Sequence, residues 1–360
     1  MSGGGQRGGT ERVTLQTIAD RLGVSRMTVS NAFSRPDQLS AALRDRVLAT
    51  AERMGYAGPD PAARALARGT SGAIGILLTD SLSYAFSDAV ATRFLAVIAT
   101  ELEPAGVAMT LLSSPRAGTE SPTGNVAMDG AIVYSVDDDS PALPWLRRRG
   151  IPLVFVDQKP EPRISSVNVD DRRGARAVAQ HLIDFGHRRI GIVTQGLSAP
   201  LRALVAPDVD AVHHVVRERM AGWRDVLSVS GVEPIVANQY DNSLDESELS
   251  ARLILDTDQP PTAIICLTDL MAVGVLKVAL ARGLSVPGDL SVTGFDDQPL
   301  ASASRPALTT VRQPFDAKAR AAAQALLTAI VSTQRGTVAR ARRVVLPTEL
   351  IVRDSTSAPR

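Results

Sequence analysis

The sequence predicts a small all-helical domain followed by a two-lobed, doubly wound α/β domain. Residues 14–54 show helix-spaced apolar positions interrupted by capping residues and glycines, without a strand pattern. From Gly72 onward, apolar runs of strand length alternate with helical segments, the mark of parallel sheets flanked by helices. These runs are too many for one comfortable sheet. Two lobes of similar size, with a crevice where strand ends face one another, accommodate them better.

In the head, the first helix is predicted over 14–22, with Leu15, Ile18, Ala19 and Leu22 on one face, Thr14 as cap and Gly23 ending it. Ser25 caps a second helix running to Phe33, with Val29 and Ala32 inward, broken by Arg35-Pro36-Asp37. Ser40 caps a third over 41–54, closed by Gly55. In the body, strands are predicted at 73–79, 107–112, 130–134, 152–156, 189–194, 233–238, 262–267 and 290–295. Helices are predicted near 87–104, 171–185, 217–230, 245–256, 269–282 and 316–332. The Gly-rich residues 1–12 read as a disordered tail, and 355–360 as a second tail.

Composition narrows the function classes. A chain of 360 residues that is 44% hydrophobic can bury a large core. No apolar stretch approaches the ~18 residues of a membrane span, and the N-terminus lacks the apolar core of a signal peptide, so the cytoplasm is the expected location. The one cysteine, Cys266, excludes an intrachain disulfide and a multi-cysteine metal site, and its apolar run, 263–267, reads as buried. A net charge of +1 conceals an asymmetry: residues 1–70 carry ten Arg against six Asp and Glu, giving +4, which leaves −3 for the remainder. A basic head on a slightly acidic body fits contact with phosphate at one end only.

The stretch VTLQTIADRLGVSRMTVSNAF, from Val13 to Phe33, joins two helices by a tight Gly23 corner and places polar residues at the start of the second. Helix-turn-helix geometry needs both features, because base edges are met by the N-terminal end of the recognition helix. Arg26, Met27 and Asn31 are the candidates for the major groove: Arg26 can pair bidentately with guanine, and Met27 can lie against a thymine methyl. Thr14, Ser25, Thr28 and Ser30 read as phosphate contacts or caps. Residues 13–70 resemble the N-terminal region of the LacI family of bacterial regulators. The resemblance extends to residues 59–70, where AARALARG is similar to the family's hinge helix. It implies that Leu66 wedges into the minor groove and Ala63 packs against a partner subunit. A helix this short is marginal alone and needs such support.

The resemblance continues to about Arg353 through SVNVDDRRGARAVAQHLIDFGHRRIGIV, RERMAGW and PTAIICLTDLMAVGVLKVALARGLSVPGDLSVTGFDD. It implies a periplasmic-binding-protein-like body over 71–354, with lobe one at 71–160 and 298–332 and lobe two at 165–295 and 340–354. The chain would cross between lobes near 158–168, 296–300 and 331–343. The resemblance also assigns Asp269 and Arg219 to an effector. Asp269 begins a helix whose dipole favours its charge, and Arg219 offers a donor fork. Tyr84 and Phe86 could stack on a ring, and Thr79, Asp80, Tyr134 and Asp157 end other first-lobe strands. Thr268 stands where the family often has Asn, and the region near Asp241-Asn242 lacks an aromatic platform, both of which argue against a lactose-like effector.

No phosphate-cradling glycine loop, nucleophile elbow or metal-ligand cluster is present in the sequence, and the adjacent His213 and His214 would point apart. No cofactor, metal or catalytic activity is therefore expected. A sugar-binding uptake protein would need an export leader in place of 14–69, and an enzyme would need a nucleophile–base pair or cofactor loop. The expected partners are double-stranded operator DNA, a sugar or related metabolite, and a second copy in a homodimer or tetramer, with no membrane.

Overall fold

The computed structural model describes residues 13–58, 60, 65, 69–78, 82–114 and 122–360. The chain divides into two compact units, with the boundary between Ser71 and Gly72.

The head unit holds α1 (Leu15–Leu22), α2 (Arg26–Ser34) and α3 (Ala41–Arg53). Thr14 and Thr17 form a reciprocal capping box at the start of α1, and Gly23, at φ 64°, ends it in the left-handed region that glycine reaches without strain. Val24 and Ser25 then lead into α2, whose first turn is capped by the Ser25 hydroxyl accepting from the Thr28 N–H at 3.0 Å. Ile18, Ala19, Val29, Ala32, Val47 and Ala51 close the core between the three helices. Ala19 and Ala32 leave the room that close approach of helices requires.

The body contains α4 (Leu82–Ser87), α5 (Ala89–Leu102), α6 (Ala142–Arg148), α7 (Asp171–Asp184), α8 (His214–Leu227), α9 (Leu244–Leu255), α10 (Asp269–Ala281), α11 (Pro299–Ala303) and α12 (Phe315–Gln334). Its first sheet takes β1 (Ala73–Leu78), β2 (Ala108–Ser113), β3 (Ala131–Tyr134), β4 (Leu153–Val156), β5 (Ser165–Val169) and β12 (Arg343–Leu346) in the order β12-β5-β4-β3-β1-β2, all parallel. The second takes β6 (Ile190–Gln195), β7 (Ala203–Val205), β8 (Ile235–Gln239), β9 (Ala263–Cys266) and β10 (Ser291–Thr293) in the order β10-β9-β6-β8-β7, with only the edge strand β7 antiparallel. A two-stranded antiparallel ribbon of β11 (Thr310–Arg312) and β13 (Glu349–Ile351) completes the body.

Strand alternation explains the layers. Ile74, Ile76 and Leu78 of β1 pack with Phe94, Ile98 and Leu326 on one face, whereas Leu77 joins Val133, Leu146 and Phe155 on the other. The second lobe is built likewise around Ile192, Val236, Ile264 and Trp223. No helix among the described residues is long and apolar enough to cross a membrane.

Three boundaries differ from the sequence expectation. Residues 165–169 and 343–346, assigned above to the second lobe, pair with the first sheet instead, as Ser166 with Arg343 and Val154 with Ser165. The first and third crossings therefore follow Val169 and Leu346. The reason is their shortness and, for β12, an edge position whose burial alternates between exposed and half-buried, so it shows no continuous apolar run. Residues 355–360 are not a free tail. Ser355 is buried, donating to the Val292 carbonyl at 2.6 Å, and the Ser357 carbonyl and Thr356 hydroxyl meet the rings of His187 and His181 at 2.9 Å each. Burial holds both imidazoles below their ordinary pKa.

Candidate functional sites in the head and the crevice

Val29 and Ala32 turn one side of α2 into the core, so the first turn presents Arg26 and Met27 outward. Met27 is 71% exposed, so its side chain can meet a partner surface without disturbing the core. The hydroxyls of Thr14 and Ser25 serve as caps, and the Thr28 hydroxyl lies 2.8 Å from that of Ser25. The Ser30 carbonyl accepts from Ser34, and Asn31 donates to the Gln38 side chain at 3.1 Å, which fixes its amide beside the exposed turn. Ala63 and Leu66 lie outside the described residues.

In the body, the carboxyl ends of β1, β3 and β4 face those of β6 and β9 across a cavity of about 150 Å³. Tyr134, Asp157 and Arg219, expected at the site, line it. So do Lys318, Gln313, Asp296 and Gln195, which the sequence pattern did not single out, and His213, which it raised only as a metal ligand. Ser135 and Asp157 hold φ values of 49° and 54°, and Asp296 one of 114°, strained conformations that concentrate where function over-determines the backbone.

The floor of the cavity is a buried polar chain. Arg219 donates through Nε to Asp171 at 2.8 Å, through Nη1 to the Leu267 carbonyl at 2.6 Å and through Nη2 to Asp296 at 3.3 Å, with its guanidinium stacked 3.6 Å from the Phe295 ring. Gln313 donates to Asp296 at 2.6 Å and accepts from Lys318 at 3.1 Å, and Lys318 completes the chain on Asp157. The chain runs from α7 and α8 of the second lobe, through the crossing segments, to α12 and β4 of the first. Burial pushes the Asp296 carboxyl up to about 6, with Arg219 opposing the shift, and burial raises Asp171 in the same direction against Arg219. The lobes also meet through His213, which lines the cavity, and Asp137 at 2.9 Å, and through Arg217 and Asp138 at 3.1 Å.

Two expected contacts are placed differently. Asp269, fully buried at the start of α10, accepts from the Gln298 N–H at 2.7 Å and from the Thr310 hydroxyl. Its carboxylate braces the crossing segment behind the wall formed by Leu267 and Thr268, because the Gln298 N–H and Thr310 hydroxyl engage both its oxygens there. Burial raises its pKa well above the ordinary carboxylate range, and the neighbouring Asp296 adds to the shift. Phe86 does not line the cavity: α4 turns Ala85 inward, leaving Phe86 65% exposed. Tyr84 belongs to α4, its side chain undescribed, and Thr79 and Asp80 lie outside the described residues. Arg219 is at the cavity, but its fork is engaged by protein carboxylates. Among the described residues no group of three or more His, Cys, Asp or Glu is arranged to hold a metal ion.

Lys318 was detectable in the sequence. It precedes Ala319, Ala322, Ala323 and Leu326 on the buried stripe of α12, where a lysine requires a partner. Gln195 and His213 carry no comparable signal, since each depends on a strand or helix end meeting the other lobe.

Comparison with known proteins agrees with both units. The profile described as bacterial regulatory proteins, lacI family, matches residues 14–58, and that of a periplasmic binding protein-like domain matches residues 179–356. An HTH-type transcriptional regulator of Mycolicibacterium smegmatis is 40% identical over 331 residues, covering 88% of this chain and 90% of the relative. Among solved structures, the transcriptional regulator CelR in complex with cellobiose is 28% identical with a TM-score of 0.68, covering 96% of this chain and all of that one (100%). The lac repressor dimer bound to operator and the anti-inducer ONPF is 26% identical with a TM-score of 0.74, covering 97% and 100%. With a head matching the family profile, a two-lobed body and close relatives along nearly the whole chain, the protein belongs to the LacI family of bacterial regulatory proteins.

Proposed function

We propose that this protein is a cytoplasmic, sequence-specific DNA-binding regulator, acting as a repressor, whose operator affinity is set by a small molecule held in the crevice. The observation that carries the reading is the coexistence, on one chain, of an outward Arg26-Met27 turn on a capped recognition helix and a crevice floored by a polar chain joining two lobes. The operator complex of the lac repressor dimer and the cellobiose complex of CelR support the same division of labour.

On this reading, residues 13–58 form the DNA-binding domain, 59–70 the hinge and 71–354 the effector-binding domain. Two heads of a homodimer occupy the half-sites of a roughly palindromic operator. Arg26 and Met27 read base edges and Asn31 lies beside them, while Thr14, Ser25, Thr28 and Ser30 position the head on phosphates. Ala63 and Leu66 belong to paired hinge helices that open the minor groove between half-sites. Effector changes lobe closure, which shifts operator affinity by its differential affinity for the two states. The relatives are regulators, and catalysis has no part in the reading.

Footprinting of the full chain on DNA upstream of its own gene tests it. A symmetric protected site at moderate salt is expected, weakening steeply as salt rises; absence of any protected site contradicts the proposal.

A further inference from the structure

The buried lysine of the crevice carries information about what the crevice accepts. Lys318 is 1% exposed and sits on α12, with its ammonium between Asp157 and Gln313 and over the rings of Tyr134 and Phe315 at 5.8 Å and 5.5 Å. An ammonium has three N–H donors. Two are engaged, by Asp157 Oδ2 and Gln313 Oε1, and the third has no hydrogen-bond acceptor among the described residues. Beside it, Asp157 Oδ1 is buried without a hydrogen-bond partner, on a residue 6% exposed. Across the cavity, on the other lobe, Gln195 Oε1 is also buried and unpartnered. All three residues line the cavity.

We propose that Lys318 and Asp157 form a hydroxyl-binding subsite, and that with Gln195 opposite they restrict the crevice to an uncharged polyhydroxylated effector, excluding its phosphate esters. This rests on the effector-controlled reading above and names its ligand class. A hydroxyl is the group that suits the pair, since it donates to Asp157 Oδ1 while accepting from Lys318. A second hydroxyl donates to Gln195, so one ligand bridges both lobes and favours their closed arrangement. Leaving these buried acceptors unmatched is costly, so a ligand without donors is rejected.

Charge points the same way. Among the described residues, the arginine and lysine lining the cavity, Arg219 and Lys318, are each paired with protein carboxylates, as is the ring of His213, while Asp88, Asp157 and Asp296 also line it. A phosphate monoester brings acceptors and about two negative charges, and so meets carboxylate and amide oxygens with nothing to donate. Sites that recruit phosphate normally keep an arginine or lysine uncommitted for it. Lys318 is thus a specificity residue rather than an anion receptor.

The test is thermal melting and calorimetric titration of the full chain with aldohexoses, hexitols and cyclitols, their monophosphates, and the nucleobases adenine and hypoxanthine. At least one uncharged polyol should raise the melting temperature, and its monophosphate at equal concentration should not. The double variant Lys318→Met with Asp157→Asn removes the ion pair without leaving a lone buried charge. It should weaken the polyol by more than about tenfold, with the melting transition of the separate head unit unchanged. Should that variant fail to fold, monodeoxy analogues titrated into the parent chain decide, with one hydroxyl position expected to cost more than about a hundredfold.

Preference for a monophosphate or nucleobase overturns the assignment, as does the absence of a shift with any uncharged polyol. Parental affinity in the double variant, or small uniform losses across the deoxy series, overturns it equally. If operator binding answers to a phosphate ester instead, the regulator reading stands while this assignment falls. If no operator is bound at all, the regulator reading falls while the titrations still decide the subsite.

Discussion

At the scale of single residues, the exposed Arg26 and the buried Asp296 make opposite demands. Arg26→Ala leaves the head's core untouched, because the side chain is exposed, and should cost about 1–3 kcal/mol of operator affinity while relaxing preference at one base pair. Fluorescence titration against the footprinted site and its single-base variants checks this. Asp296 couples to pH. Its folded pKa of about 6 lies above the unfolded carboxylate value, so the folded state holds the extra proton, and the stability so contributed is lost as pH rises through about 6. The stability of the parent relative to Asp296→Asn should therefore fall by up to about 3 kcal/mol between about pH 4 and pH 7 in urea unfolding. A difference that is constant or rises with pH contradicts the burial argument.

Caps and facing were legible in the sequence where a local rule decided them. Thr14 and Ser25 are caps because side-chain oxygens preceding a helix accept from its first turn, and Arg26 faces outward because Val29 and Ala32 face inward. Asp269 was misplaced because helix-start logic gives a position, not a partner, and its partners, Gln298 and Thr310, come from a distant crossing segment. Phe86 turns outward because Leu82–Ser87 form a six-residue helix that buries Ala85 instead. Lys318, Gln313 and Asp296 meet only after the chain has crossed between lobes, so pattern alone could not group them.

At the scale of elements, capping and close packing predict separate effects in the two units. Ser25→Ala removes the hydroxyl that caps α2 and should cost about 1 kcal/mol in the head, with melting of the body unchanged. In the body, a methyl on Gly222 of α8 would run into the Arg172 carbonyl and Ala175 of α7. Gly222→Ala should then cost about 1–3 kcal/mol and lower the body's melting temperature, since backbone cannot give way as a flexible side chain can. Calorimetry of the full chain separates the two transitions. The long amphipathic helices and apolar parallel strands were predicted to within a few residues because their periodicity is strong. Strands β5, β7, β11, β12 and β13 escaped because each is short and most lie at a sheet edge or in the crossing ribbon, where partial exposure breaks the apolar run.

For the whole molecule, the proposed function connects a head site and a crevice site on one chain, in a body whose lobes share a buried polar floor. That connection is thermodynamic before it is structural: if effector changes operator affinity by some factor, operator must change effector affinity by the same factor. The most direct measurement titrates the footprinted operator into the full chain with and without a saturating crevice ligand, and repeats the ligand titration with and without operator. Matching factors of about 5–150 are expected from both directions. A factor of one in both titrations, with ligand and operator each bound, would contradict the claim that the crevice governs the head.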